Sequence, residues 1–146
     1  MVTNKLILLI EDNPDDEELT LDALRTGGVK NEIVVAHDGA EALDFLFPAQ
    51  SSTAYSSTRL PELILLDLKL PKVSGLEVLR RIRSRSTTRH IPTVVLTSSS
   101  EEEDINRSYE VGANSYVRKP VEFDEFVQAV QSLGAYWVLF NEGPRI

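Results

Sequence analysis

The chain has 146 residues, 23 of them acidic against 15 Lys and Arg, a net charge of −8 and no cysteine. That length suits one domain burying roughly 68–70% of its unfolded surface, and the missing thiols exclude disulfides, thiolate metal sites and cysteine nucleophiles. An acidic surface repels nucleic acid, and no stretch approaches the ~20 apolar residues of a membrane span, which points to a cytoplasmic protein without nucleic-acid or membrane partners.

The signal alternates between strand and helix. An aliphatic run over residues 6–10 predicts the first strand, and Asn13 and Pro14 then supply an N-cap and a first helical residue. Asp15, Asp16, Glu17 and Glu18 load the first turn with charge that suits the helix dipole, and Gly27 and Gly28 stop the helix. Residues 33–36 form the second strand, followed by a helix that carries Ala42, Leu43, Leu46 and Phe47 and ends at Pro48. Residues 49–59 are rich in serine and threonine and read as a surface loop longer than usual.

The third strand, residues 62–67, is nearly all aliphatic, as a strand covered on both faces should be. Ser74 and Gly75 open a helix with a stripe of Leu76, Val78, Leu79 and Ile82. Its neighbours Arg80, Arg81, Arg83, Arg85 and Arg89 are the only candidate basic patch, and at helical spacing they spread around the helix. Residues 93–97 form the fourth strand, and an acidic helix start at residues 101–104 leads to a stop at Gly112. A short fifth strand covers residues 114–117, and an extended last helix runs from about 121 to 140.

Five βα units imply an α/β fold in which a parallel sheet is covered on both faces, because crossovers are right-handed. The commonest small solution is a flavodoxin-like, doubly wound five-stranded sheet of order 2-1-3-4-5 with five helices. In that order Asp12 and Asp67 end neighbouring strands about 4.8 Å apart, with Glu11 close behind. Thr97 lies on the other side of Asp67, and Lys119 lies one strand beyond. No GxxxxGK[ST] or dinucleotide fingerprint is present. Acids at the first turn repel a nucleotide phosphate and attract a hard divalent cation such as Mg2+.

This ordered set resembles bacterial response-regulator receiver domains along nearly the whole chain. The resemblance rests on Glu11-Asp12, on Asp67 within the run from Leu63 to Pro71, and on Ser74-Gly75, Thr97, Tyr116 and Lys119-Pro120. It implies a single receiver domain over residues 1–146 in which Asp67 accepts a phosphoryl group from a histidine-kinase phosphohistidine. Glu11, Asp12 and Asp67, with the backbone carbonyl of Lys69, would then hold Mg2+. Lys119 would pair with the phosphoryl, Thr97 would move towards it, and Tyr116 would rotate inward as the readout. In the family the Lys119-Pro120 bond is commonly cis. Such a protein catalyses only its own phosphorylation and dephosphorylation and is not otherwise an enzyme.

The long insertion and the tail resemble stand-alone receivers paired with phytochrome-type histidine kinases. Tyr136, Trp137, Leu139 and Phe140 crowd five residues of the last helix, which predicts burial of some of them in a homodimer. Two alternatives stay open at this stage. One is an aspartate-nucleophile phosphohydrolase of the haloacid dehalogenase type, although Lys69 stands where that chemistry wants a second acid. The other is a receiver-like interaction module unable to accept phosphate.

Overall fold

The computed structural model describes residues 5–48, 60–98, 101–119 and 123–144. Its strands are β1 (Leu6–Ile10), β2 (Glu32–Ala36), β3 (Leu63–Leu66), β4 (Thr93–Thr97) and β5 (Ser115–Arg118). All neighbours pair in parallel, and the sheet order is the expected 2-1-3-4-5. The helices are α1 (Pro14–Thr26), α2 (Gly39–Leu46), α3 (Gly75–Ser84), α4 (Glu102–Val111) and α5 (Phe123–Gly134), and α5 continues into a π-helix, Ala135–Phe140.

Strand side chains alternate between two cores, as a period of two requires. Ile7, Leu9, Leu63, Leu65, Val94 and Leu96 face one way and pack with Leu24 of α1 and with Phe126 and Val130 of α5. Leu8, Ile10, Ile64, Leu66 and Val95 face the other way, against Ala42 and Leu46 of α2 and Val78, Leu79 and Ile82 of α3. Burial on both faces explains why β1 and β3 are unbroken aliphatic runs.

The helix ends follow the capping signals. Asn13 Oδ1 accepts from the N–H groups of Asp15 and Asp16, Asp38 caps α2 through the N–H of Glu41, and Ser74 caps α3 through the N–H of Glu77. Gly112 closes α4 in the left-handed region at φ 119°, which favours glycine. A Cβ there would also lie 2.9 Å from Nε of Arg83. That arginine belongs to the candidate basic patch but is half-buried. Its guanidinium turns inward and donates to the carbonyls of Gly112 (2.8 Å), Ile91 (2.8 Å) and Arg89 (3.1 Å) and to Asn114 Oδ1 (2.7 Å). Arg80 and Arg81 both pair with Glu77, and Arg85 lies over the Phe47 ring. Most of the basic patch is thus engaged within the chain.

The last helix differs from the expected continuous α-helix. Phe126, Val130, Gly134 and Val138 are buried at steps of four residues, a spacing that outruns the 3.6-residue α turn. The wider π turn offsets that drift and keeps Val138 on the core, and Asn141 N–H closes it on the carbonyl of Tyr136, five residues back, at 2.7 Å. β5 begins at Ser115, one residue later than predicted, because Asn114 is used as a side-chain acceptor for Thr93 N–H. The long insertion at 49–59, the start of the last helix at 121–122 and the Lys119–Pro120 bond fall outside the described residues.

Candidate functional site

The strand-end residues are fixed by ladder bonds that run one residue past each strand. Glu11 N–H donates to the carbonyl of Ala36 (2.9 Å), Asp67 N–H to that of Ile10 (3.1 Å) and Lys119 N–H to that of Thr97 (2.6 Å). The turn after Asp67 is equally constrained. Lys69 N–H reaches Asp67 Oδ1 at 3.3 Å, and Gly75 N–H donates to the carbonyl of Leu68 at 2.8 Å. Any Cβ on Gly75 would stand 2.2 Å from the Asp67 carbonyl oxygen, so only glycine lets α3 start this close to the acid.

The predicted acids and lysine meet in one crevice. Glu11, Asp12 and Asp67 each offer an oxygen within 4.8 Å of the others. Glu11 and Asp67 are buried and Asp12 is exposed. An all-oxygen donor set of this kind fits a hard divalent cation. The Lys119 ammonium, only 10% exposed, lies 2.5 Å from Glu11 Oε1 and 3.1 Å from Asp67 Oδ2. Thr97 is buried at the end of β4, beside Asp67 in the strand order. Tyr116 on β5 is half-buried against the core under α2 and α3. Lys69 is exposed, and its N–H contact to Asp67 keeps it at the site.

One residue of the crevice escaped the sequence reading. Asp16 Oδ2 sits 3.0 Å from the Lys119 ammonium. Its place among four consecutive acids gave it only a dipole role, yet it stands in the first turn of α1, just after the strand end that carries Glu11 and Asp12.

The electrostatics follow from three carboxylates sharing one ammonium. Burial pushes the Glu11 carboxyl up to about 7, the Lys119 hydrogen bond and charge pull against it, and the Asp67 charge adds to the rise. Burial alone would lower the Lys119 ammonium, but the Glu11 hydrogen bond and the Asp67 and Glu11 charges outweigh it and hold it above its ordinary value. A carboxyl raised by folding stabilises the fold below its unfolded pKa and loses that contribution as pH rises through the folded value. The Glu11 contribution should therefore fade between 4.5 and about 7 in the metal-free protein. Cation binding has the opposite trend, because the ligand carboxylate must first lose its proton. Mg2+ affinity measured by calorimetry should be roughly tenfold weaker at pH 6 than at pH 8. A flat profile would show that the Glu11 carboxyl is already ionised across this range.

The four candidate contact residues on the tail separate. Tyr136 is 53% exposed, but Trp137 is half-buried against the chain's own core and meets the Tyr136 ring edge-on at 5.1 Å. Among the described side chains of the tail, the expected contact with a second chain therefore falls to Tyr136. The side chains of Leu139 and Phe140 lie outside the described residues. Among the described residues no helix is long and apolar enough to cross a membrane.

Comparison with known proteins matches residues 7–131 to the family model for the response regulator receiver domain. Response regulator Rcp1 of Synechocystis sp. is 38% identical over 134 residues, which cover 92% of this chain and 89% of that protein. Its Mn(2+)-bound crystal structure superposes with a TM-score of 0.86 at 37% identity, covering 97% of this chain and 99% of the other. The phosphorylated cyanobacterial phytochrome response regulator RcpA gives a TM-score of 0.88 at 38% identity, over 98% and 100% of the two chains. The bacteriophytochrome response regulator AtBRR is 53% identical, with a TM-score of 0.73 over 97% of this chain and 100% of that one.

Proposed function

Because the chain belongs to the response regulator receiver domain family, we propose that Asp67 is its phosphoacceptor and that a phytochrome-type histidine kinase is the donor. The observation that carries this reading is the convergence of Lys119 on Glu11 and Asp67 from strands far apart in sequence. A phosphohydrolase of the haloacid dehalogenase type is set aside by the family match and by Lys69, which stands where its second acid belongs.

In the proposed reaction an Asp67 carboxylate oxygen attacks the phosphorus of a phosphohistidine. The O–P bond forms, the P–N bond breaks, and the imidazole leaves with the electron pair and takes a proton from solvent. The incoming group brings about two negative charges into a crevice that is already acidic. Lys119 would offset part of that charge, and Glu11, Asp12 and Asp67, with the Lys69 carbonyl, would hold Mg2+. When bound, Mg2+ supplies the remaining positive charge. The chain would catalyse only its own phosphorylation and dephosphorylation. Thr97 and Tyr116, on the adjoining strands, are the proposed route from the phosphoryl to the outer surface, a two-state element biased by a local charge event.

The test is incubation with Mg2+ and acetyl phosphate followed by intact mass. One added phosphoryl supports the reading. Continuous release of free phosphate with no adduct would favour a hydrolase, and no change would favour an interaction module.

The setting we infer is the cytoplasm, with a second copy of the chain as partner. Trp137 is largely covered from within, so among the described side chains of the tail Tyr136 is the aromatic that a two-fold contact has left to bury. Light scattering is expected to report a dimer for the full chain and a weaker one for Tyr136→Ser. A monomer with and without beryllofluoride would end the dimer proposal.

A further inference from the structure

Of the three carboxylates on the Lys119 ammonium, Glu11 and Asp67 also belong to the oxygen cluster that fits a divalent cation, and Asp16 does not. A cation held in that cluster repels the ammonium and competes for two of its three partners. Asp16 is the partner that remains. Its backbone is fixed at the first turn of α1, where its N–H donates to Asn13 Oδ1 (3.1 Å) and its carbonyl accepts from the Thr20 hydroxyl (2.8 Å). Its side chain is 34% exposed, against 2% for Glu11, so its bond to Lys119 is the one most open to exchange.

We propose that Asp16 is a positioning residue: it holds the Lys119 ammonium aside while Glu11, Asp12 and Asp67 hold the divalent cation, and it yields the ammonium to the phosphoryl group. This deepens the phosphoacceptor reading and rests on it. Two effects of opposite sign follow from removing the Asp16 charge. Without its alternative partner the ammonium stays on Glu11 and Asp67, and the cation binds more weakly. Once the cation is in place, no third carboxylate competes for Lys119, and a phosphoryl mimic binds more tightly.

The experiment is calorimetry on the full chain, with Mg2+ alone and then with beryllofluoride at saturating Mg2+. Asp16→Asn should bind Mg2+ roughly three- to tenfold more weakly, in line with the loss of one hydrogen bond that solvent partly screens. It should bind beryllofluoride several-fold more tightly, and Asp16→Glu should restore both affinities towards the original. In a Lys119→Met background, Asp16→Asn should change Mg2+ affinity by less than about twofold, since the effect acts through the ammonium. Weakening of both ligands would mean general damage to the crevice and overturn the proposal. A Mg2+ loss of equal size in the Lys119→Met background would mean a simple through-space charge effect, and would also overturn it. Acetyl phosphate labelling of the unaltered chain is read separately: its failure removes the phosphoacceptor reading itself, whereas unchanged Asp16→Asn titrations beside normal labelling remove only the role of Asp16.

Discussion

Asp67→Asn is expected to show no added mass after incubation with Mg2+ and acetyl phosphate, while the unaltered chain gains one phosphoryl. The amide nearly matches the carboxylate in size and still accepts the Lys69 N–H at its oxygen. It lacks the anionic oxygen needed to form the O–P bond. Stability separates this chemical loss from misfolding. Asp67 is one of three acids around a single ammonium, so neutralising it relieves repulsion with Glu11, whose carboxyl the Asp67 charge helps to raise. The melting temperature should hold or rise. A phosphoryl still found on the peptide that contains residue 67 would overturn the assignment, and a fall in melting temperature would show that the ion pair with Lys119 outweighs the repulsion.

Arg83→Leu should be the most destabilising change on the helical surface. Leucine keeps some of the apolar stem but strips hydrogen bonds from the carbonyls of Gly112, Ile91 and Arg89 and from Asn114 Oδ1. Burial already lowers the guanidinium from its ordinary value, so these bonds hold the charge against a desolvation cost. Hydrogen bonds to a charged group contribute about 1.5–3 kcal/mol and acceptors left dry carry their own penalty, so a net loss of about 3 kcal/mol is expected. At roughly 2–4 °C per kcal/mol for a chain of this size, the melting temperature should drop by about 6–12 °C. Arg81→Leu is the control: its pair with Glu77 is solvent-exposed, and exposed pairs contribute only about 0–1 kcal/mol. Equal melting temperatures for the two variants would remove Arg83 as a clamp between α3 and the turn into β5.

The two arginines also mark how far the chain could be read before folding. Periodicity located both on one helix and treated them alike, because helical spacing says which way a residue points and nothing about a turn 29 positions away that needs donors. The strands were legible for a stronger reason. Apolar runs such as Leu63 to Leu66 have few alternatives once turn residues bound them, and the right-handed crossover rule then restricts the order of the sheet. From that order came the meeting of Glu11, Asp12, Asp67 and Lys119, since each stands at a strand end. Asp16 escaped because its side chain reaches the crevice from a helix, and four neighbouring acids look alike until one of them finds an ammonium. The π turn was hidden similarly: the four-residue stripe through Phe126, Val130, Gly134 and Val138 reads as helix, and only the packing of Val138 reveals the wider winding.

Sheet order also divides the labour mechanically. β3, which leads into Asp67, is held by β1 on one side and β4 on the other, whereas among the described residues β5, which carries Tyr116 and leads into Lys119, has one strand neighbour, β4. A plank nailed along both edges resists a push that will tilt one nailed along a single edge. A phosphoryl on Asp67, as proposed, would thus meet a stiff anvil, and whatever shift it caused would pass to the compliant margin of the sheet, where one ladder has to yield instead of two. The amides on the outer side of β5 should accordingly exchange hydrogen sooner than those of β3. The strand proposed to register chemistry and the strand proposed to transmit it are the same kind of backbone, distinguished by how many neighbours each one has.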